Sequence, residues 1–524
     1  MLGVVALLSQ YSTLSGATFP VANGDVPGLI AAIQAANATA QEDTIQLAVN
    51  GDYPLYAAFF SSSSVPLDRT GLPWITSPVI IEGRGSVIRR AQPIAQPVPE
   101  FRLVRVRGRA AALTVRDLGL QNGNGWPVNG DHADSMGGGI RNEGRPLTVE
   151  NCRFEENRST HWGAAVHTTG PTVVKDSEFV HNVAGDGGTG AIRVMDTSLF
   201  IVESCFFSKN VGDDTIRIYN VTTADISGST IAEATGISGE VGVLVHGSGF
   251  RMANSTIYKC HRFGLSCGAG SVATITHCTV YETGNPTTTG IGIVNGTGCV
   301  MSLINTIVAN SVYVDCKNYG TLLVNSGNLI RDGSCNPALF GDPKLGAFGY
   351  YGGPTPLLPL IAGSQAIDAA NDALGEPVDQ RGVGRPVGAH WDIGAYEGSI
   401  RVRPDFTGPR VVGAFYDPAP YIVICDPLPG DGISFAILGD RTVPARSINP
   451  ASLTLGNAPA GTARVRGIGD VNRDGIEDLV VEFPLSSVYR GASSCAAVTL
   501  LELQGETSTG QPIVTYINVQ AAGR

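Results

Sequence analysis

The chain has 524 residues, too many for one ordinary hydrophobic core, so it must contain several domains or a repeating solenoid. Its 67 glycines and its low charged content of 15% favour strands and tight turns over an α-helical enzyme. The net charge of -11 excludes a general electrostatic attraction to nucleic acid or to an anionic membrane, so we expect no nucleic-acid partner.

Residues 1–17 have the pattern of a signal peptide. A short apolar run, Leu2 to Leu8, is followed by the small residues SGA, which suit cleavage after Ala17. No Lys or Arg precedes the run, so a short buried N-terminal segment is the alternative interpretation. No other stretch reaches the roughly 18 apolar residues that a membrane span requires, and we predict no transmembrane segment. We therefore expect a secreted protein, either extracellular or at the cell surface.

Residues 25–37 predict an amphipathic helix that caps the start of the fold. Asp25 suits the N-cap, and Pro27 suits the first helical turn. Apolar residues then recur at helical spacing, namely Val26, Leu29, Ile30 and Ile33. Because an open β-solenoid end exposes strand edges, we expect this stripe to cover a first coil at DTIQLAV.

A segment of one shape repeats through the middle of the chain, as in LTVRDLGL, LTVENCRF, TVVKDSEF, FIVESCFF and ATITHCTV. One aligned column is always apolar: Val115, Val149, Val174, Val202, Ile226, Met252, Ile275 and Leu303. A second apolar column lies five residues later: Leu120, Phe154, Phe179, Phe207, Ile231, Ile257, Val280 and Val308. The column between them is mostly small: Leu118, Cys152, Ser177, Cys205, Ser229, Ser255, Cys278 and Thr306.

Successive units begin 23 to 34 residues apart, which suits one solenoid turn of about three short strands. Alternation of apolar and polar residues within each unit indicates strands rather than helices. Because one coil cannot bury its apolar face alone, like residues stack on like from coil to coil. We therefore predict an all-β fold, a right-handed parallel β-helix with its N-terminal cap over residues 18–345.

Three segments resemble the bacterial secreted proteins grouped under the choice-of-anchor Q domain, within the pectin-lyase-like β-helix fold. They are LIAAIQAANATAQEDTIQLAVNGDYPL, GGGIRNEGRPLTVENCRFEENRS, and GSQAIDAANDALGEPVDQRGVGRPVGAHWDIGAYEGS at residues 363–399. The first segment departs from the family pattern because it lacks a Cys and an Arg ahead of the helix. The resemblance implies export, presentation at the cell surface and a segment, 346–399, that completes the β-helix. It implies no particular reaction, since the fold hosts lyases, hydrolases, epimerases and adhesins.

Residues 400–524 predict a smaller C-terminal β-sandwich, with strands at RVVGAFY, ISFAILG, ASLTLGN and LVVEFPL. Oxygen ligands in this part have the spacing of a calcium loop, with Gly475 at the sharp turn. The predicted ligands are Asp470, Asn472, Asp474, Ile476 and Asp478. The twelfth position is Val481 instead of a carboxylate, so a polar turn without metal is the alternative. We expect a structural calcium ion here.

Seven of the ten cysteines fall into two groups. Three occupy the small column, where a free thiol packs well: Cys152, Cys205 and Cys278. Two further pairs are predicted disulfides, although spacing alone does not fix connectivity. These pairs are Cys316 with Cys335, which bracket one loop, and Cys425 with Cys495 in the last segment.

The strands that precede the core units align to give a column of basic side chains that face outward. The column contains Arg141, His167, Arg193 and Arg217, and then Leu244, Ser266 and Val294. The preceding turns carry acidic residues and histidines: Asp131, His132, Asp134, His161, Asp186, Asp213 and Asp214. The longest coil contains the first three of these, so its extra residues are predicted to project as a loop over the column.

A basic column flanked by carboxylates suits an acidic sugar chain, because Arg binds uronate or sulfate through two parallel hydrogen bonds. The leading hypothesis is a monomeric adhesin or carbohydrate-binding protein whose partner is a polysaccharide or cell-surface glycan. Its rival is a polysaccharide lyase or glycoside hydrolase in which an Asp of these turns acts as acid or base. A third interpretation is a solvated strip in which the basic residues pair with the neighbouring carboxylates.

Overall fold

The computed structural model describes most of the chain up to residue 398 and separate segments after it. The described ranges are 16–59, 69–91, 100–125, 135–185, 187–236, 241–285, 289–351, 353–361, 363–398, 422–423, 432–437, 446, 448–455, 458–469, 478–484, 500–506, 508, 512–518 and 520–521. The chain forms two compact units. The first contains the residues up to Asp342 together with Ala369–Glu376 and Ile393–Ala395, and the second contains Pro343–Asp368, Pro377–Asp392 and the residues from Tyr396 onward.

The first unit is a parallel β-solenoid of about 11 turns. Its first strands are β1 Thr18–Pro20, β2 Asp43–Gln46, β3 Asp52–Leu55, β4 Pro78–Arg90, β5 Val104–Val106, β6 Ala112–Gln121, β7 Ile140–Asn142, β8 Leu147–Glu150, β9 Arg153–Glu155 and β10 Arg158–Ser159. The middle strands are β11 Val166–Thr168, β12 Thr172–Lys175, β13 Glu178–Val180, β14 Val183–Ala184, β15 Thr189–Glu203, β16 Phe206–Ser208, β17 Asp214–Ser227, β18 Thr230–Ala232, β19 Val241–His246 and β20 Gly249–Ala253. The last strands are β21 Thr256–Tyr258, β22 Phe263–Cys267, β23 Val272–Thr276, β24 Thr279–Tyr281, β25 Ile291–Asn295, β26 Val300–Ile304, β27 Ile307–Ala309, β28 Val314–Asn318, β29 Thr321–Ser326 and β30 Leu329–Ile330.

The two predicted apolar columns are confirmed residue by residue. Every step from Val115 to Leu303 is a partner pair in a parallel ladder. Every step from Leu120 to Val308 is likewise a partner pair. All members of both columns are buried, and the rings of Phe154, Phe179 and Phe207 stack with centroids 4.8 and 4.7 Å apart. The predicted all-β fold with a parallel solenoid is therefore correct.

The small column lies inside a sharp corner between two strands of each coil. The residue before it has a left-handed backbone in most coils, for example φ 50° at Asn151 and φ 55° at Ser204. The buried amide after the corner then needs a partner, and the next coil supplies a side-chain oxygen. The Cys152 amide donates to Ser177 Oγ at 3.0 Å, and the Cys205 amide donates to Ser229 Oγ at 3.0 Å. A small side chain with an oxygen or a thiol is what this corner accommodates.

The helix α1 spans Val26–Asn37, and Asp25 Oδ1 accepts a hydrogen bond of 2.8 Å from the Gly28 amide at its start. Leu29 and Ile33 are fully buried in the same apolar cluster as the first coils, and Val26 and Ile30 pack against that cluster. The apolar stripe of the helix thus contacts the first coils.

Two disulfides lie in the described residues. Cys316–Cys335 was predicted and is confirmed. Cys267–Cys299 was not predicted, because each of its cysteines sits in a coil segment with no sign of a bracketed loop. The three cysteines of the small column are free and buried, as predicted, and burial raises the pKa of each thiol to about 12. Cys425 and Cys495 lie outside the described residues.

The second unit contains short strands and a segment of buried charges. Its strands are β31 Ile422–Val423, β32 Gly432–Ile437, β33 Thr454–Leu455, β34 Arg464–Gly469, β35 Asp478–Pro484, β36 Leu500–Glu506, β37 Pro512–Asn518 and β38 Gln520–Ala521, with a 3-10 turn at Pro450–Ser452. They include two antiparallel three-stranded sheets, β32-β35-β34 and β33-β36-β37. Ahead of them, Arg385 and Glu397 form a fully buried ion pair at 2.6 Å. The β-sandwich and the domain limits remain predictions.

Candidate functional site

The predicted basic column exists in the parallel register of β7, β11, β15 and β17. Arg141 pairs with His167, His167 with Arg193, and Arg193 with Arg217. The column begins one coil earlier than predicted, because Arg105 of β5 pairs with Arg141. Sequence reasoning missed Arg105 because its strand lacks the glycine-rich approach of the later coils, and only the alternation in VRV signals it. Adjacent members are separated by one coil, about 4.8 Å.

Another outward face of the solenoid shows how charges usually stack in this molecule. Arg116 lies between Glu82 and Glu150 in the ladder and forms ion pairs with them at 3.1 and 2.6 Å. The same column continues with Lys175 and Glu203, which form an ion pair at 2.7 Å. Charges therefore alternate from coil to coil on that face, whereas the basic column places arginines directly opposite each other at Arg105 and Arg141 and at Arg193 and Arg217. Like charges directly opposite on neighbouring strands are destabilising, so the basic column needs a compensating anion.

The column is more covered than predicted. We expected partly exposed side chains, but only 4% of His167 and 7% of Arg193 is exposed. The cause is Trp162, whose ring centre lies 3.5 Å from Arg193 Cζ and whose ring lies 6.4 Å from the imidazole of His167. Arg141 and Arg217 retain more exposure, 14% and 24% of their side chains. The more exposed members of the column are thus Arg141 and Arg217, and the half-buried Trp162 covers the two residues between them.

Carboxylates compensate both ends of the column. Glu143 forms ion pairs with Arg105 at 2.5 Å and with Arg141 at 3.0 Å. At the other end, Arg217 Nε lies 2.5 Å from Asp214 Oδ2. Burial raises the pKa of Asp214 to about 7, although Arg217 opposes this shift. The Asp214 carboxyl can therefore bind or release a proton near neutral pH.

The centre of the column has unsatisfied donors. Among the described residues, no hydrogen-bond partner reaches the buried Nε and Nη1 of Arg193 or the buried Nδ1 of His167. Burial lowers the pKa of His167 to about 3, and the guanidinium groups of Arg193 and Arg141 lower it further, so the imidazole is neutral at neutral pH. Burial also lowers the pKa of Arg193 to about 10, with Arg217 adding to the effect, so the guanidinium stays charged. A charged guanidinium with two unused donors can donate charge-assisted hydrogen bonds to anionic oxygens.

The flanking residues are only partly described. Asp213 and Asp214 lie at the start of β17 beside Arg217, and Asp214 is buried there. His161 lies edge-on to Trp162 with ring centres 6.4 Å apart, and its Nδ1 is 3.3 Å from Ser135 Oγ. The predicted flanking residues Asp131, His132, Asp134 and Asp186 lie outside the described residues, and so do the calcium-loop residues Asp470, Asn472, Asp474 and Ile476. Asp478 is the first residue of β35.

No cluster of three or more His, Cys, Asp or Glu residues suited to a metal occurs in the part of the chain that the structure describes.

The comparisons with known proteins agree with the fold. A family model described as the right handed β-helix region matches residues 163–334, a range that contains His167, Arg193 and Arg217. No curated protein matches the chain. The family match and the parallel solenoid together support the right-handed β-helix superfamily. Among the described residues, no helix combines the length and apolar content that a membrane crossing requires.

Proposed function

We propose that this chain is a secreted, surface-presented β-helix protein that binds an anionic polysaccharide along the basic column, as a monomer. The observation in favour is that Arg193 pairs with Arg217 in the ladder and that its buried Nε and Nη1 have no partner among the described residues. An ion-pair strip would instead look like the alternating column around Arg116.

The chemistry of a uronate or sulfate chain fits this column. Each sugar carries a planar or trigonal anion that accepts two parallel hydrogen bonds from a guanidinium. The anions recur along the polymer, and Arg193 and Arg217 are likewise one coil apart, about 4.8 Å. Trp162 covers one face of the Arg193 guanidinium, whose Nε and Nη1 are buried.

The test is binding of the purified protein to polygalacturonate, alginate and chondroitin sulfate, with dextran as the neutral control. Arg193→Ala should weaken binding of the acidic polymer by about 1 to 3 kcal/mol, the cost of a lost charge-assisted contact. Arg116→Ala is the matched control, because it removes an arginine from the alternating face, and it should leave binding unchanged. Equal losses in both variants, or equal binding of dextran, would contradict the proposal.

A second candidate function is a polysaccharide lyase or glycoside hydrolase. Asp214 favours it, because a carboxyl with a pKa of about 7 beside two arginines has the proton affinity of a general acid or base. Absorbance of unsaturated products detects a lyase, and an assay of new reducing ends detects a hydrolase. Turnover that Asp214→Asn abolishes would replace the binding role with the catalytic one.

Export and anchoring also belong to the proposal. The choice-of-anchor Q resemblance at residues 363–399 and the apolar segment Leu2 to Leu8 support secretion with presentation at the cell surface. Mass analysis of the mature protein should find an N terminus after Ala17. Retention of residues 1–17 in a protein recovered from inside the cell would contradict export. The calcium-type loop at Asp470 to Asp478 supports a structural ion in the C-terminal part.

A further inference from the structure

The basic column continues to one more cation at the far end of the solenoid. From Arg217 the register passes to Leu244, Ser266 and Val294, and then to Lys317 of β28. Lys317 therefore lies on the same face as Arg193 and four coils beyond Arg217. At about 4.8 Å per coil, this separation is about 19 Å.

Lys317 lies between two exposed tyrosines. Its Nζ is 5.8 Å from the ring centre of Tyr313 and 5.6 Å from that of Tyr319. The tyrosines are 63% and 60% exposed, although burying their rings would be favourable. Among the described residues, no carboxylate forms an ion pair with Lys317. An amphipathic ring on each side of an uncompensated ammonium group offers both apolar contact and hydrogen bonds to a sugar carrying an anion.

In the coils between the two cationic regions, the column contains no negative charge that would repel an anionic chain. Their members of the column, Leu244, Ser266 and Val294, are uncharged and half-buried. A ligand that follows the column therefore meets cations at both ends and a neutral surface between them. This pattern favours an extended chain of repeated anions over a single small anion, which can contact only one end.

We propose that Tyr313, Lys317 and Tyr319 form a second contact site for the anionic polysaccharide, so that one chain runs parallel to the solenoid axis from Arg193 to Lys317. This inference rests on the proposed function. Two contacts joined in one ligand make the second binding event intramolecular, and each contact then increases the affinity for long chains.

The experiment compares two ligands of different length. One is an oligogalacturonate of defined length that spans more than about 24 Å, the five coils from Arg193 to Lys317, and the other is digalacturonate, which is too short to reach both ends. Lys317→Ala should weaken binding of the long ligand about tenfold and leave digalacturonate binding unchanged. Tyr313→Ala and Tyr319→Ala should also act on the long ligand alone. The matched control is Lys209→Ala, an exposed lysine on a different face.

The possible outcomes separate this inference from the proposed function. If Arg193→Ala reduces binding of both ligands while Lys317→Ala changes neither, the second contact is wrong and the proposed function stands. If the unaltered protein binds neither ligand, both are wrong. Tighter binding of a single-stranded oligonucleotide than of the long oligogalacturonate would overturn the assignment to a polysaccharide. Thermal unfolding of each variant, expected to match the unaltered chain, excludes a loss of fold as the cause.

Discussion

The surroundings of Arg193 do not favour the stability of the fold, but they suit the binding of an anionic ligand. Arg193→Met removes a charge next to Arg217 and two buried donors without partners among the described residues, while its apolar side chain still packs on Trp162. We expect the free energy of unfolding to stay unchanged or to rise by about 1 kcal/mol, because an uncompensated buried charge is unfavourable. Anionic glycan binding should be lost. Urea unfolding and a binding assay measure the two effects.

The control for this variant is Arg116→Met, whose arginine is partly exposed and pairs with Glu82 and Glu150. It should lower stability by at most about 1 kcal/mol and leave binding intact. A large loss of stability in Arg193→Met with unchanged binding would identify Arg193 as a structural residue.

His167 should give the fold a measurable dependence on acid. Its pKa is about 3 in the folded state, against about 6.5 in the unfolded chain, so between these values only the unfolded state binds the proton. Stability contributed by the neutral imidazole is complete above about pH 6.5 and falls as the pH drops toward 3. His167→Gln should remove this loss, which amounts to about 2 kcal/mol between pH 6.5 and 5. Denaturant unfolding at the two pH values measures the difference.

Protonation of Asp214 changes the stability of the fold in the opposite direction to protonation of His167, so Asp214 serves as a control for the pH experiment. Its folded pKa of about 7 exceeds the unfolded value of about 3.9, so its proton uptake stabilises the fold at low pH and this contribution is lost as the pH rises through 7. Asp214→Asn should therefore steepen the loss of stability in acid. Equal pH profiles for both variants would show that neither group titrates as its burial requires.

At the residue scale, the sequence predicts which side chains share a column but not what covers them. Arg141, His167, Arg193 and Arg217 could be aligned because the core units on either side fix the register by their apolar pattern. The contact of Trp162 with Arg193 depends on the path of a turn, and no periodicity describes that path. Arg105 was not aligned because its strand lacks the glycine-rich approach that marks the later coils, although its register with Arg141 is regular.

At the scale of the elements, the last coils are cross-linked in a way that the repeat alone does not require. Cys267–Cys299 and Cys316–Cys335 close loops of 32 and 19 residues between neighbouring coils. A double change, Cys267→Ala with Cys299→Ala, should cost about 3 kcal/mol, because the unfolded chain gains the freedom that the closed loop denies it. Hydrogen exchange should locate the loss in β22 to β28, since each coil depends mainly on its neighbours.

Cys205→Ser is the matched change at a free, buried cysteine. Serine already occupies the same column at Ser177 and Ser229, so this variant should remain close to the unaltered stability. An equal loss in both variants would mean that packing rather than the cross-link stabilises these coils.

The element scale is also where the sequence is most informative, for a physical reason. Most coil corners hold a small residue, and the inward positions of the flanking strands hold apolar residues, so the same pattern recurs at every turn. Cys316–Cys335 could be predicted because the two cysteines bracket one loop. Cys267–Cys299 could not, because the cross-link depends on which residues of successive coils meet inside the solenoid, and the spacing of 32 residues does not reveal this.

At the scale of the whole molecule, the two compact units are not separated at a single point in the sequence, as the end of the repeats would suggest. Ala369–Glu376 and Ile393–Ala395 belong to the first unit, while the residues around them belong to the second. Asn305 illustrates this within the first unit, because its Nδ2 donates to the carbonyl oxygens of Asn371 and Leu374 at 3.1 and 2.6 Å. A segment without repeats gives no signal of such contacts, so the sequence could not predict them.

The second unit provides the last prediction, which concerns calcium. If the loop from Asp470 to Asp478 binds calcium, the ion stabilises the folded form of this unit. The gain depends on the calcium concentration relative to the dissociation constant and is about 2.7 kcal/mol when the concentration is a hundred times that constant. Calorimetry should show a transition that moves to higher temperature with calcium, while the transition of the solenoid stays in place. Asp474→Ala should abolish the shift, because the loop would lose a charged oxygen ligand. A shift that persists in this variant would place the ion elsewhere in the chain, and the absence of any shift would leave the loop as a polar turn.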